Sequence, residues 1–413
     1  MTQPAEGVPP VVSTVPALRV AVHALAAGTG PIAVDTERAS GYRYSQRAYL
    51  VQLRREGSGT VLIDPVPLHG RLDSLAHVMA DAEWVLHAAS QDLPCLTELG
   101  LHPASVFDTE LAGRLAGYER VALGTLVEQL LGYQLEKGHG AADWSHRPLP
   151  PDWLTYAALD VELLIPLRQV LEAELARQGK LDWALQEFEA ERLAPPPKPR
   201  QEPWRRTSGI HRARTPRQLA GVRALWEARD EIARSRDLAP GRVLPDRAMV
   251  DAAVADPASE AELIKLPVFR GRAQRKLAGV WMGALRAAHE LSRDRLPDPA
   301  PAHDGPPPPA RWADRDPVAA ARLSAARPAL IKLASGLALP VENLLQPDLV
   351  RRLCWQPPED HDPAAVAAAL RAGGARDWQI ALTTDVLVTA LDAQPPQQAA
   401  QHEQHRVESR PTD

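Results

Sequence analysis

The stretch Pro31-Ile-Ala-Val-Asp-Thr-Glu37 decides the reading of the fold. Its apolar and β-branched residues spell a short strand that ends in two carboxylates one residue apart. Residues i and i+2 of a strand point to the same face, so Asp35 and Glu37 project side by side. Two like charges that close raise each other's pKa unless a cation sits between them. A divalent metal ion is the natural cation. A solvated strand end has the same local signature, so the pair needs partners elsewhere in the chain to carry a site.

Outward from this strand the pattern is regular. Helical spacing over residues 18–27 precedes it and closes at Gly28. Strand-like runs at 49–54 and 61–64 follow it across Ala39-Ser40-Gly41 and Glu56-Gly57-Ser58-Gly59, which predicts a three-strand meander. Next come a helix at 72–79, a buried strand at 84–88 and a helix opening at Ser90 as N-cap, with Pro94 tolerated in its first turn. Further helices are expected at 109–115, 123–131 and 153–175. Adjacent strands followed by strands alternating with helices predict an α/β fold, a mixed sheet covered by helices.

At 413 residues the chain is long enough for two or three domains, and 45% hydrophobic with 24% charged residues suits a globular protein. No apolar run approaches the ~20 residues of a membrane helix. The start, Met-Thr-Gln-Pro-Ala-Glu, has neither the basic nor the apolar part of a secretory signal, so a cytoplasmic location is expected. Cys95 and Cys354 lie far apart, which argues against a disulfide framework and fits a reducing compartment. The net charge of −5 argues globally against a nucleic-acid partner. Locally, Lys198, Arg200, Arg205, Arg206, Arg212, Arg214 and Arg217 face one acid, Glu202. The expected divisions are a first domain at 1–193, a Pro/Arg-rich linker at 194–214, a helical domain at 215–294, a Pro-rich linker at 295–316, a second helical domain at 317–393 and a disordered tail at 394–413.

Two further acidic positions complete the pair. Asp92 stands just past the buried strand near a helix start, where the helix dipole favours a carboxylate and simple charge capping is the ordinary role. Tyr156 and Asp160 are spaced i, i+4 and therefore share one helix face. In the order Asp35-x-Glu37, Asp92, Tyr156-x-x-x-Asp160, the chain resembles the DEDD exonucleases, tyrosine subgroup. Val34-Asp-Thr-Glu37, Leu86-His-Ala-Ala-Ser-Gln-Asp92, Val106-Phe-Asp-Thr109, Asp143-Trp-Ser-His-Arg-Pro-Leu149 and Tyr156-Ala-Ala-Leu-Asp-Val161 are similar to words of the ribonuclease D family. The resemblance spans about residues 10–190.

That resemblance implies a ribonuclease H-like sheet and a 3′–5′ exoribonuclease that releases nucleoside 5′-monophosphates. It also implies two divalent ions, Mg²⁺ or Mn²⁺, held by Asp35, Glu37, Asp92 and Asp160. Asp35 would bridge both ions, Glu37 and Asp160 would hold the one that activates water, and Asp92 the other. Tyr156 would orient the attacking water and help take its proton. The chemistry suits these residues, since two ions ~4 Å apart clamp both oxygens of an in-line displacement. Hard cations of this kind ask only for oxygen ligands.

The implied partner is a single-stranded RNA 3′ end, with precursor tRNA as the family's substrate class. DNA of the same polarity is the alternative substrate, and a silent nucleic-acid-binding scaffold the alternative from another class. His87 and Gln91 flank Asp92 and are candidates for touching the terminal nucleotide, although a strand histidine is ordinarily a core residue. Arg147 is a candidate for pairing with a phosphate or with one of the acidic ligands, or equally for a structural salt bridge. Trp144 reads as core. The turn Lys137-Gly-His-Gly140 lacks the spacing of a phosphate-binding loop.

Residues 215–290 resemble an HRDC domain, on Leu219-Ala-Gly-Val-Arg-Ala-Leu-Trp226, Val243-Leu-Pro-Asp246 and Glu262-Leu-Ile-Lys-Leu-Pro-Val-Phe-Arg-Gly271. Lys265, Arg270 and Arg272, with Arg275 and Lys276, are its candidate contacts to backbone phosphates. The block from 317 resembles a second, diverged unit of the same kind. Both helical domains are expected to hang on linkers that tether rather than fix them.

Overall fold

The computed structural model describes residues 3–135, 138–196, 198–299 and 305–395. Lys137 of the glycine-rich turn, part of the second Pro-rich linker and the tail beyond 395 lie outside the described residues. Six strands are present among the described residues: β1 (Val11–Val12), β2 (Thr29–Arg38), β3 (Ala48–Glu56), β4 (Gly59–Ile63), β5 (Glu83–Leu86) and β6 (Ser105–Asp108). They form one sheet in the order β1-β4-β3-β2-β5-β6. The meander β2-β3-β4 is antiparallel, as its short turns require. On its other side β2 pairs parallel with β5, and β5 with β6.

Helices cover both faces. Ile32 and Val34 of β2 share a core with Leu18, Leu25, Leu75 and Met79 of α1 (Val15–Ala27) and α2 (Asp73–Ala80). Ala33, pointing the other way, joins residues of α4 (Thr109–Ala116), α5 (Leu123–Leu131), α7 (Leu164–Arg177) and α8 (Leu181–Arg192). The short α3 (Leu93–Glu98) follows β5, and α6 (Pro151–Glu162) lies across β2, β3 and β4. Strand alternation therefore sends Ala33, Asp35 and Glu37 toward one face and Thr36 toward the other.

Four local differences from the sequence reading have physical causes. The helix expected over 153–175 is two helices that break at Leu163. Pro166 explains the break, because it supplies no N–H to the carbonyl of residue 162 and its ring crowds that carbonyl. The helix expected to open at Ser90 begins at Leu93 after a 3₁₀ turn, Ala89–Gln91, and its N-cap is Asp92, whose side chain makes no capping bond. Strands β1 and β6, two and four residues long, and the helix α8 were not anticipated. Trp204 is buried against Leu219 and Val222, so the second half of the basic linker is folded onto the helical block behind it.

The helical blocks are docked, contrary to the expected tethering. In the first, Leu225, Met249, Phe269 and Trp281 form its core. Its Asp237 Oδ1 accepts the N–H groups of Tyr44 and Ser45 at 3.1 and 2.9 Å. The Ala239 N–H donates to Tyr42 O, while Arg242 donates to Gly41 O and lies 4.1 Å over the Tyr42 ring. The loop leaving Glu37 is thus held by the helical domain. In the second, Leu330, Leu353 and Leu387 share one core with Leu171, Leu175 and Phe188. Trp378 stacks on Trp183 with ring centres 5.0 Å apart. Gly117, at φ 91, comes so near Ala338 that an added Cβ would meet its carbonyl oxygen at 2.8 Å.

Candidate active site

At the end of β2 the alternation just described carries Asp35 and Glu37 to the face that α6 crosses. On α6 one turn separates Tyr156 from Asp160, which places both over the same spot. Carboxylate oxygens of Asp35, Glu37 and Asp160 lie within 4.8 Å of one another. Asp92 comes from the turn after β5, and with the other three acids and Tyr156 it lines a cleft of about 530 Å³. The Thr36 hydroxyl, on the opposite face of β2, donates to Asp92 Oδ1 at 2.5 Å and also contacts Cys95 Sγ at 3.3 Å.

Burial and mutual repulsion make this cluster costly without a cation. Burial first, then Asp92, Asp160 and Glu37, hold the Asp35 carboxyl well above the usual carboxylate range. Burial and then Asp160 push Glu37 up to about 9. Burial lifts Asp160 to about 7, against the Tyr156 hydroxyl that donates to it, and lifts Asp92 to about 6, against the Thr36 hydroxyl. The Tyr156 phenol is pushed up by burial and by the acids around it, so it is neutral and a donor. Oxygen-only donors, four formal negative charges and burial together fit a hard divalent cation, whose charge relieves the strain of keeping them ionised.

Of the other expected contacts, His87 and Gln91 line the cleft. His87 Nδ1 lies 2.9 Å from Thr109 Oγ1, whose own proton goes to Leu86 O. Nδ1 therefore carries the imidazole proton and Nε2 is left as an acceptor. Arg147 is corrected to a structural residue. Its guanidinium binds both oxygens of Asp64 at 2.7 and 2.9 Å and donates to the carbonyls of Tyr49, Trp144 and His146, which leaves nothing for a phosphate. Trp144 is fully buried. Lys265, Arg270 and Arg272 are exposed on the first helical block and are not among the residues lining the acidic cleft. Arg272 instead borders a pocket of about 570 Å³ with Arg236, Arg242 and Lys276.

Sequence reasoning missed several cleft residues. Arg38 follows Glu37 directly, and its charge lowers both Glu37 and Asp92. The cleft also takes in the ion pair of Glu110 and Arg114 on α4. The adjacency of Arg38 was visible in the sequence; the approach of α4 is a long-range contact with no local signal.

The fold and this acidic cleft define a 3′–5′ exonuclease. Residues 10–176 match the family model described as "3'-5' exonuclease", residues 218–285 the HRDC domain, and residues 305–391 a "3' to 5' exonuclease C-terminal domain". The ribonuclease D of Gluconacetobacter diazotrophicus is 32% identical over 67% of this chain and 71% of that protein. The ribonuclease D of Acidiphilium cryptum is 32% identical over 73% and 78%. A crystal structure of a protein from Bifidobacterium adolescentis is 38% identical, with a TM-score of 0.88 over 95% of this chain and 99% of that one. Escherichia coli RNase D, described as an exoribonuclease involved in structured RNA processing, is 26% identical with a TM-score of 0.67 over 94% and 99%. The chain belongs to the ribonuclease D family.

Proposed function

We propose that this exonuclease removes nucleoside 5′-monophosphates one at a time from the 3′ end of single-stranded RNA, with two divalent ions, Mg²⁺ or Mn²⁺, held by Asp35, Glu37, Asp92 and Asp160. The observation that supports it best is the convergence of these acids and Tyr156 on one cleft. The ions supply Lewis acidity for the attacking and departing oxygens of the phosphodiester. Asp35, whose carboxylate lies within 4.8 Å of those of Glu37 and Asp160, would be shared by both ions. Asp160 is oriented by the Tyr156 hydroxyl, and Asp92 by Thr36. Tyr156, whose hydroxyl donates to Asp160, would orient the attacking water and help take its proton. His87 and Gln91, which line the cleft, would meet the terminal nucleotide. The first helical block, with Lys265, Arg270 and Arg272, is read as an accessory surface for backbone phosphates. RNA 3′ processing is the substrate class we propose: it is supported by the Escherichia coli relative described as acting in structured RNA processing, and the sequence resemblance implies precursor tRNA within it.

The test is digestion of matched 3′-labelled RNA and DNA oligonucleotides with Mg²⁺. Ladders of RNA shortened from the 3′ end, lost in Asp35→Asn, are expected. Equal or faster loss of DNA would replace RNA as the substrate, and full activity in Asp35→Asn would remove the metal assignment.

A further inference from the structure

The turn that delivers Asp92 is gripped by two acids that the mechanism does not use. Ala88, at φ 61, takes a left-handed conformation that is strained for a non-glycine residue. Such a turn persists only if its surroundings hold it. Asp108, at the end of β6, accepts the Ala88 N–H on Oδ1 at 3.0 Å and the Ala89 N–H on Oδ2 at 2.8 Å. The next N–H, of Ser90, donates to Glu191 Oε1 at 3.0 Å. Three successive amides, just before Gln91 and Asp92, thus end on two carboxyls.

Those two carboxyls are neighbours, and Asp108 raises Glu191. Asp108 accepts the Glu110 and Leu111 N–H groups as well, so four amides in all donate to it. Burial first, and then Asp108, push the Glu191 carboxyl up to about 8. Glu191 lies on α8, whose same face is also held by the second helical block. One turn earlier, Glu187 accepts the Trp378 indole N–H at 3.0 Å and Arg376 at 2.7 Å from the second helical block.

We propose that Glu191 is a positioning residue for Asp92: it holds the Ser90 amide, next to the two amides that Asp108 holds, and through α8 it makes the C-terminal helical domain part of the active-site scaffold. The proposal rests on the reading of Asp92 as an ion ligand.

The test compares Glu191→Ala and Glu191→Gln in the full chain, with Asp92→Asn alongside. Amide exchange at residues 88–90 is followed in metal-free protein, Mn²⁺ binding by calorimetry, and kcat and KM on a 3′-labelled RNA. Loss of an outer residue that orients a ligand costs about 10- to 100-fold in affinity or activity, so Glu191→Ala should lose about tenfold in kcat and in Mn²⁺ affinity. Its exchange at 88–90 should speed up, while KM stays near wild type. Glutamine can accept from Ser90, so Glu191→Gln should restore all three readouts. Unchanged exchange and kcat in Glu191→Ala, or equal impairment of the Gln variant, would overturn the assignment. Wild-type Mn²⁺ binding and turnover in Asp92→Asn would instead overturn the ligand reading, and the Glu191 proposal with it.

Discussion

Thr36 donates its hydroxyl proton to Asp92 Oδ1 at 2.5 Å from a position between Asp35 and Glu37 in sequence but on the opposite face of the strand. A hydrogen bond to a charged acceptor is worth about 1.5–3 kcal/mol. Thr36→Val keeps the branched shape and removes only the donor. Asp92, freed of the bond that lowers it, should shift further upward. Mn²⁺ affinity at pH 7 should fall by about tenfold or more, a change calorimetry resolves, and the deficit should shrink toward pH 9 as Asp92 ionises anyway. Equal affinity at pH 7 would mean that the bond does not tune the carboxyl.

The acidic cluster dictates an unusual pH dependence. Each of Asp92, Asp160 and Glu37 is raised in the folded state, to about 6, 7 and 9. The folded chain then holds protons that the unfolded chain has released, so the contribution is fully present below pH ~4 and lost as pH climbs through these values. Metal-free protein should therefore melt at progressively lower temperature from pH 5 to 9 in thermal scans. Divalent ions compete with the protons, so the Tm gained from Mg²⁺ should grow over the same range. Asp35→Asn removes one of the repelling charges and should raise the metal-free Tm at pH 8.

The grip of the first helical block on the loop after Glu37 is testable by proteolysis. Asp237→Ala leaves the Tyr44 and Ser45 amides without their acceptor, at a cost of about 1 kcal/mol or more. Asp237 sits at φ 46, which asparagine adopts at lower cost than alanine. Trypsin should cut at Arg43 and Arg47 faster in Asp237→Ala than in Asp237→Asn. Identical cleavage of both variants and wild type would show that the loop is held by other contacts.

Because the second helical block shares its core with the nuclease sheet, the two should melt together. Trp378→Ala should cost about 3–5 kcal/mol, read from chemical denaturation, by removing the stack on Trp183 and the donor to Glu187. Trp378→Phe keeps an aromatic face and should cost less. Two well-separated transitions in the Ala variant would argue that the lobes are only weakly coupled.

What the sequence made legible was local. The meander, the parity that sets Asp35 beside Glu37, and the one-turn spacing of Tyr156 and Asp160 follow from strand and helix periods alone. Pro166 carried a readable warning of the break at Leu163. The rest was written in contacts between distant residues. Nothing near Asp92 announces that Ala88 turns left-handed, because Asp108 and Glu191 impose that turn from 20 and about 100 positions away. Arg147 pairs with Asp64 across 83 positions, which its own neighbourhood cannot reveal. The strand β1, two residues long, exists only because β4 is there to receive it.

Cys95 and Cys354 are both reduced and buried, one in the core under α3 beside Thr36, the other in the core the C-terminal lobe shares with the sheet. Burial pushes their thiols up to about 11 and about 12, so neither is a thiolate at neutral pH. An alkylating reagent can then modify each only when its own surroundings breathe open. The molecule carries two built-in clocks, and their relative ticking would tell which lobe loosens first.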